Sequence, residues 1–394
     1  MTIGWIDFSV ADQKQIESAL NRLTPKGILD ELGLGTIRDR LANQLFPGTS
    51  SLHTRTIYFL LVPQLLRSLA VKPKVKDARE FIQELYDREY QAMCALRDNC
   101  PDENGIIGKS AGRNLRQKPS GSYWSGIRQY GLVENYGSLY QFVKRCLPYW
   151  KKGNPSYGFA AISSLDHLGP EWKSGLSVEL GSEDAGFLAM NIRRQHPRSL
   201  LADLLVLEEE EKDLVKGIPL AYQLYNLPRV RERHGRLLVY CRDYELICRS
   251  VLITYNEQLC EVRGEAPDWI SIARDQLYEE SAQFLHQNSL RQLLVEIPLD
   301  KATVHFLQAS LGRLLKRKDG NADAKNAVRS REWRVKGSRA RLDEDNRHLV
   351  EAMAVDKTPG IRVTEDGFGV APVFDYRWPT TQNHLRDLKV FADA

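Results

Sequence analysis

Between residues 105 and 152 the chain holds nine basic side chains: Lys109, Arg113, Arg116, Lys118, Arg128, Lys144, Arg145, Lys151 and Lys152. Glu134 is the only acid there, so the stretch carries +8. Eight aromatics are interleaved: Tyr123, Trp124, Tyr130, Tyr136, Tyr140, Phe142, Tyr149 and Trp150. Dispersed cations neutralise phosphates and release their counterions. Rings among them either form the core beneath or stack on unpaired bases. The pattern therefore points to nucleic-acid binding, with Lys109, Arg113, Arg116, Lys118, Arg128, Lys144 and Arg145 as phosphate contacts. Tyr123 and Trp124 are core or stacking residues in that reading. A basic structural module whose aromatics are only its core has the same composition, and the two readings stand level.

A second basic stretch runs from Arg313 to Arg341, with eleven Lys and Arg against Asp319, Asp323 and Glu332, again +8. Its candidate nucleic-acid contacts are Lys316, Arg317, Arg329, Arg331, Arg334 and Lys336. The whole chain carries only +4, from 55 basic and 51 acidic residues, so the remainder carries −12. Charge segregated in this way gives a directional electrostatic footprint. An acidic protein partner would meet the same surface.

Other constellations are weaker. Gly105-Ile-Ile-Gly108-Lys109-Ser110 ends like a phosphate loop, but Glu103 stands where the first glycine belongs, and its charge would repel phosphate. Gly33-Leu34-Gly35 has Arg38 in place of a third glycine and reads as a turn. The histidines are scattered, and no metal-ligand spacing or GxSxG nucleophile turn occurs. Asp166-His167 reads as a polar loop. Glu84, Asp87 and Glu89 share a helix with Arg79 and Arg88 and read as a solvated, self-paired face. A two-carboxylate-plus-lysine nuclease site has spacing too loose to read from one sequence. The cysteines Cys94, Cys100, Cys146, Cys241, Cys248 and Cys260 form no CxxC pair and are expected as reduced thiols, with Cys241 and Cys248 in the core. No cofactor and no metal are expected.

These residues need elements to position them, and the periodicity is helical. Helices are expected at 11–23, 28–45, 54–69 (with Pro63 as a kink or end), 77–97 (capped by Asp77), 122–130 and 138–145. Others are expected at 182–194 (capped by Ser182), 199–206, 273–290, 304–316 and 381–391. The longest helical region is 221–260, expected to divide at Pro228 and Gly235. The fold class is mainly α with minor β, and the helix, Gly-containing turn and helix at 122–145 suggest a central winged-helix-like or helix-turn-helix-like module. The 394 residues suggest two or three domains. Those expected are an N-terminal helical domain at 1–100, a basic aromatic module at 101–220 and a C-terminal helical domain at 221–394. The longest apolar run, Ile57 to Val62, is far short of the roughly 20 residues that a spanning helix needs. No membrane segment or signal peptide is expected, and the expected location is the cytoplasm.

Several segments resemble an uncharacterised bacterial family with a domain of unknown function. They are Trp5-Ile-Asp-Phe-Ser9, Asp30-Glu-Leu-Gly-Leu-Gly35, Ile37-Arg38-Asp39, Leu45-Phe-Pro-Gly-Thr-Ser50 and Thr54-Arg-Thr-Ile-Tyr-Phe-Leu60. Pro119-Ser120, Tyr123-Trp-Ser-Gly126 and Tyr376-Arg-Trp-Pro379 add to them. The resemblance implies no catalytic residue. It implies a genomic setting beside helicase-like and nuclease-like genes for defence against phage. It also draws notice to Asp7, Arg38, Asp39 and Arg55; Arg38 and Asp39 on one helix, with Arg55 beyond a Pro-Gly turn, suit a buried ion-pair network that fixes helix packing.

The sequence thus supports a DNA-binding or adaptor component of an anti-phage defence or DNA-transaction complex, with DNA and helicase-like or nuclease-like proteins as partners. One alternative is a metal-dependent nuclease or other phosphodiester-acting enzyme. Another is a protein-interaction scaffold without nucleic acid.

Overall fold

The computed structural model describes residues 32–160, 171–264, 268–316, 321–351, 362–364, 367–369 and 373–391. Asp7, the helix expected at 11–23, Asp166-His167 and Arg317 lie outside them. The described residues are mainly helical. In chain order the helices are α1 (Gly35–Leu45), α2 (Tyr58–Ala70), α3 (Ala78–Asn99), α4 (Pro119–Gln129) and α5 (Leu139–Lys151). Then come α6 (Ser182–Gln195), α7 (Leu200–Leu204), α8 (Glu209–Lys216), α9 (Pro228–Arg263) and α10 (Asp268–Phe284). The last are α11 (Ser289–Glu296), α12 (Lys301–Lys316), α13 (Asn321–Lys336), α14 (Arg347–Glu351) and α15 (Trp378–Asp387). One antiparallel pair, β1 (Arg362–Thr364) with β2 (Gly367–Gly369), precedes α15. No helix among the described residues is long and apolar enough to cross a membrane.

The chain forms two compact units. The first joins the residues through Leu41 to Gly235–Tyr376, and the second joins Ala42–His234 to the residues from Arg377 onward. Two of the three divisions fall inside helices, α1 and α9, and the third falls just before α15.

In the second unit, α2 is apolar on nearly every side and is buried from Tyr58 to Pro63. A helix apolar all round belongs in a core. Pro63 sits inside it and does not end it. Asp77 caps α3, its side chain accepting from the N–H groups of Arg79 and Glu80 at 2.8 and 3.1 Å. The buried stripe of α3 runs Phe81, Leu85, Glu89, Ala92 and Leu96, at steps of three and four. Glu89 is therefore not part of a solvated face. It is buried because its position repeats the apolar stripe, and it has a partner there. Its carboxylate accepts from the Ser120 N–H at 2.5 Å and the Ser120 hydroxyl at 3.2 Å. Pro119 opens α4, and α4 has no side-chain cap of its own. Glu89 supplies that cap from another helix. A capping box of Ser138 and Gln141 opens α5. After α5 the chain returns to the α4–α5 linker through a bridge between Val133 and Phe159.

Several expected boundaries differ; the helix expected at 273–290 is two, α10 ending at Phe284 and α11 starting at Ser289. The N-cap of α6 is Gly181, with Ser182 already helical. In the long region, Pro228 is the first residue of α9, where its missing N–H is harmless. Gly235 does not divide that helix. A helical glycine costs about 1 kcal/mol relative to alanine, and the burial of α9 offsets it. From Tyr240 to Cys260 only Arg242 is not buried. Several polar groups of that segment are paired within the first unit. Arg249 bridges Glu245 and Glu280. Arg313 of α12, itself buried, donates to Glu257 at 2.7 Å and to the Thr254 hydroxyl. Cys241 and Cys248 are buried free thiols, as expected.

Burial pushes the Glu89 carboxyl up from 4.5 to about 7, against the Ser120 hydrogen bonds and Lys118. A carboxyl raised on folding weakens the fold as pH rises from the unfolded to the folded value. Glu89→Gln should therefore gain on the wild type by about 2 kcal/mol between pH 5 and pH 8. Urea denaturation at both pH values checks this, and a difference that does not change with pH contradicts it.

Candidate nucleic-acid interface

The inward face of α5 is Phe142, Val143, Cys146, Leu147 and Trp150. Its helical period turns Tyr140, Lys144, Arg145, Tyr149 and Lys152 outward. Lys144, Arg145, Lys151 and Lys152 are all exposed, and no acid occurs on the helix. Tyr140 and Tyr149 are 40% and 41% exposed. Tyr149 stacks on Tyr157 at 3.8 Å, and the Arg145 guanidinium lies 5.6 Å from the Tyr136 ring centre. Lys151 donates to the Lys76 carbonyl at 3.0 Å. The result is a solvent-facing stripe of cations with two half-open rings. Tyr140, Tyr149, Lys151 and Lys152 were not singled out as contacts from sequence. The signal that finds them is the three-to-four spacing within the helix.

The other cations of this stretch are divided. Lys109 donates to the carbonyls of Pro101 and Glu103 at 2.6 and 3.1 Å, closing the Gly105–Ser110 loop on itself. Arg113 lies over Tyr90 and 3.7 Å from Asp87. Lys118 lies over Tyr86. Arg128 donates to Asn135 at 2.7 Å. Arg116 is exposed. Trp124 is buried and donates to the Gly137 carbonyl at 2.9 Å. Tyr123 is fully buried. Both rings are core residues and offer no face to a base.

Tyr123 instead holds an irregular segment, Phe46 to Thr56. Its hydroxyl accepts from the Thr54 N–H at 2.7 Å and donates to the Arg55 carbonyl at 2.9 Å. Tyr130 donates to the Pro47 carbonyl at 3.1 Å, and Arg377 to the Thr49 carbonyl at 2.7 Å. Phe46 stacks on Trp378 at 5.8 Å. Gly126 allows α4 to approach, since a Cβ there would come within 2.4 Å of the Gly48 carbonyl oxygen. His53 donates from Nε2 to the Ser122 carbonyl at 3.0 Å and stacks on Tyr123 at 4.1 Å. Burial, aided by the Arg377 charge, lowers its pKa to about 4 despite that hydrogen bond. His384 is lowered to about 3 by burial and the neighbouring His53.

Beside this segment lies a cavity of about 700 Å³. Arg55 crosses it, pairing with Glu103 at 2.7 Å and Asp387 at 3.1 Å. Asp387 also accepts from the Thr56 N–H at 2.7 Å. Burial raises the Asp387 carboxyl, and the Thr56 N–H and Arg55 oppose it. Asp102, Glu179, Arg386 and Lys389 complete a lining of mixed sign. Such a wall suits no polyanion, and the role of Arg55 here is to hold the segment. In the first unit, Arg38 pairs with its neighbour Asp39 at 3.1 Å.

The candidates of the second basic stretch lie on α12 and α13. Lys316, Arg329 and Arg334 are exposed. Arg331 is half-buried and donates to the Leu32 carbonyl at 2.9 Å. Lys336 pairs with Glu332 at 2.8 Å. Trp333, not singled out from sequence, is 60% exposed. Among the described residues, no group of three or more His, Cys, Asp or Glu is placed to hold a metal ion.

These features define a mainly helical protein of two compact units, each with a cationic helix face. The chain belongs to the family of unknown function DUF6361, whose model matches residues 1–205. No curated protein and no solved structure matches it. The matched range ends before Arg377 and Asp387, which also hold the buried segment.

Tyr123→Phe keeps the ring and strands the Thr54 N–H. It should cost about 1–3 kcal/mol of stability, read as a lower denaturation midpoint, while nucleic-acid affinity is unchanged. A stable variant that loses affinity would put the residue at the interface.

Proposed function

We propose that the protein binds nucleic acid through the outer face of α5, as a DNA-binding or adaptor component of a bacterial DNA-transaction or anti-phage defence complex. The observation that carries the binding is the acid-free stripe of Lys144, Arg145, Lys151 and Lys152 flanked by half-exposed Tyr140 and Tyr149. Phosphate contact needs exposed cations, and hydroxyl donors beside them fix register. The order α4, Val133 bridge, α5, Phe159 bridge supports a winged-helix-like reading of this region. The defence setting rests on the resemblance seen in the sequence.

The test is duplex binding by fluorescence anisotropy between about 50 and about 200 mM salt. A protein making 6–10 phosphate contacts loses roughly 10³–10⁵ in affinity over that range. Lys144→Glu with Arg145→Glu should weaken all duplex sequences alike, at least tenfold, and flatten the salt slope by about 1.8. Arg128 is spared because it holds Asn135. Duplex affinity that survives the double reversal overturns the reading.

A further inference from the structure

The first unit holds a second cationic surface of different shape. Along α12 and α13 runs a groove of about 570 Å³. Its α12 lining extends from Ala302 to Lys316, a length of roughly 21 Å at 1.5 Å per residue. Small residues such as Ala309, Gly312 and Ala327 leave it open, while Lys316, Arg331 and Arg334 line it with Asp323 as the only acid among the described residues.

The orientation of α13 is fixed from its other side. Ala324, Val328 and Glu332, each four residues apart, are buried. Glu332 accepts from the Tyr255 hydroxyl at 2.7 Å, Lys336 at 2.8 Å and the Leu342 N–H at 2.9 Å. Burial alone would raise its carboxyl, but Lys336, Tyr255 and Leu342 outweigh it and hold it low. With that stripe inward, Ser330, Arg331 and Arg334 face the groove.

Arg331 is the built part of this surface. It is half-buried, and its hydrogen-bond partners are neutral: the Leu32 carbonyl and the Thr303 hydroxyl, at 2.9 and 3.1 Å. Its guanidinium lies 5.8 Å from the Phe306 ring centre. Gly33 has φ +75°, and a Cβ there would come within 2.9 Å of Arg331 Nη2. No carboxylate lies within ion-pair distance of Arg331, Arg334 or Lys316 among the described residues. Asp300 acts on Arg331 through space, but its carboxylate is committed to the start of α12, accepting from Ala302 N–H, Thr303 N–H and the Thr303 hydroxyl. The half-buried cation is thus held in place by neutral partners, with no carboxylate in contact with it among the described residues.

Trp333 follows Ser330 by three positions and so rises at the rim. It is 60% exposed, with exposed Arg329 one turn back. Unpaired bases stack on such a ring, whereas the bases of a duplex are already stacked. A duplex also presents its phosphates on a convex surface, which cannot descend to Arg331 between two packed helices.

We infer that the α12–α13 groove binds a single nucleic-acid strand, its phosphates on Lys316, Arg331 and Arg334 and a base on Trp333. This deepens the nucleic-acid reading by naming the form bound, and it uses a surface separate from α5.

The experiment measures a labelled mixed-sequence single strand and its duplex against the full-length protein and three variants. Lys316→Glu with Arg334→Glu should weaken the single strand at least tenfold and flatten its salt slope by about 1.4, as two phosphate contacts require. It should leave duplex affinity unchanged. Trp333→Ala should cost the single strand about tenfold. Lys144→Glu with Arg145→Glu reports on α5 through the duplex, so either surface can fail alone. The inference is overturned if the groove variant keeps full single-strand affinity or weakens both forms equally. It is also overturned if inorganic pyrophosphate displaces the strand and Trp333→Ala has no effect, since that describes a simple anion site. Lys316 and Arg334 are exposed, and circular dichroism checks that the variants fold.

Discussion

A buried segment without regular structure must still pair its backbone N–H and C=O groups, because an orphaned buried group costs as much as a lost hydrogen bond. The segment from Phe46 to Thr56, buried or half-buried apart from Ser51 and Leu52, meets that demand with its own turns and with side chains from elsewhere in the chain. Tyr123 and Tyr130 come from α4 and its end, Arg377 and Asp387 from the last helix and its start. Each donor or acceptor must arrive at one place, so the segment fixes where α4 and α15 pack in the second unit. Gly126 follows from the same demand, since only a residue without Cβ lets α4 come this close to Gly48. The Glu89 carboxylate at the start of α4 completes the constraint from α3. With α4 held at both ends, the linker and α5 are held too, and the basic face of α5 can only point outward.

The first unit uses buried charge for a similar end. Glu332 ties α13 to Tyr255 of α9, and Arg313 ties α12 to Thr254 and Glu257 of the same helix. Paired charges in a core add little net stability, but removing one partner is costly. Such pairs therefore select an arrangement more than they strengthen it. Here they set the rotation of α12 and α13, and that rotation is what turns Arg331 and Arg334 toward one groove.

The helical fold class was legible because its signals are local. Apolar spacing marked α2, α3 and α12, and Asp77 and Ser199 marked helix starts that their side chains do cap. What was not legible depends on contacts distant in sequence. Gly235 reads as a break until the burial of α9 is known. Glu89 reads as surface because nothing in its own helix discloses Ser120 as its partner, although its place on the apolar stripe of α3 was a usable sign. Tyr123 and Trp124 were singled out as core or stacking residues, and composition alone does not separate the two. Tyr123 belongs to the core because its hydroxyl is consumed by the backbone of a segment about seventy residues earlier.

Two stretches of equal net charge also do different work, and net charge does not disclose it. In the first, Arg113 lies 3.7 Å from Asp87, whereas the cations of α5 share their helix with no acid. In the second, Arg313 is buried against Glu257 and Lys336 is paired with Glu332. Lys316, Arg331 and Arg334 line one groove. A cation already held by an acid has little left to offer a phosphate, whereas one held only by neutral groups keeps its field and loses the freedom to move. Arg331 is of the second kind. Held by neutral groups and touched by no carboxylate among the described residues, it offers an anion a site whose ordering cost the fold has already met.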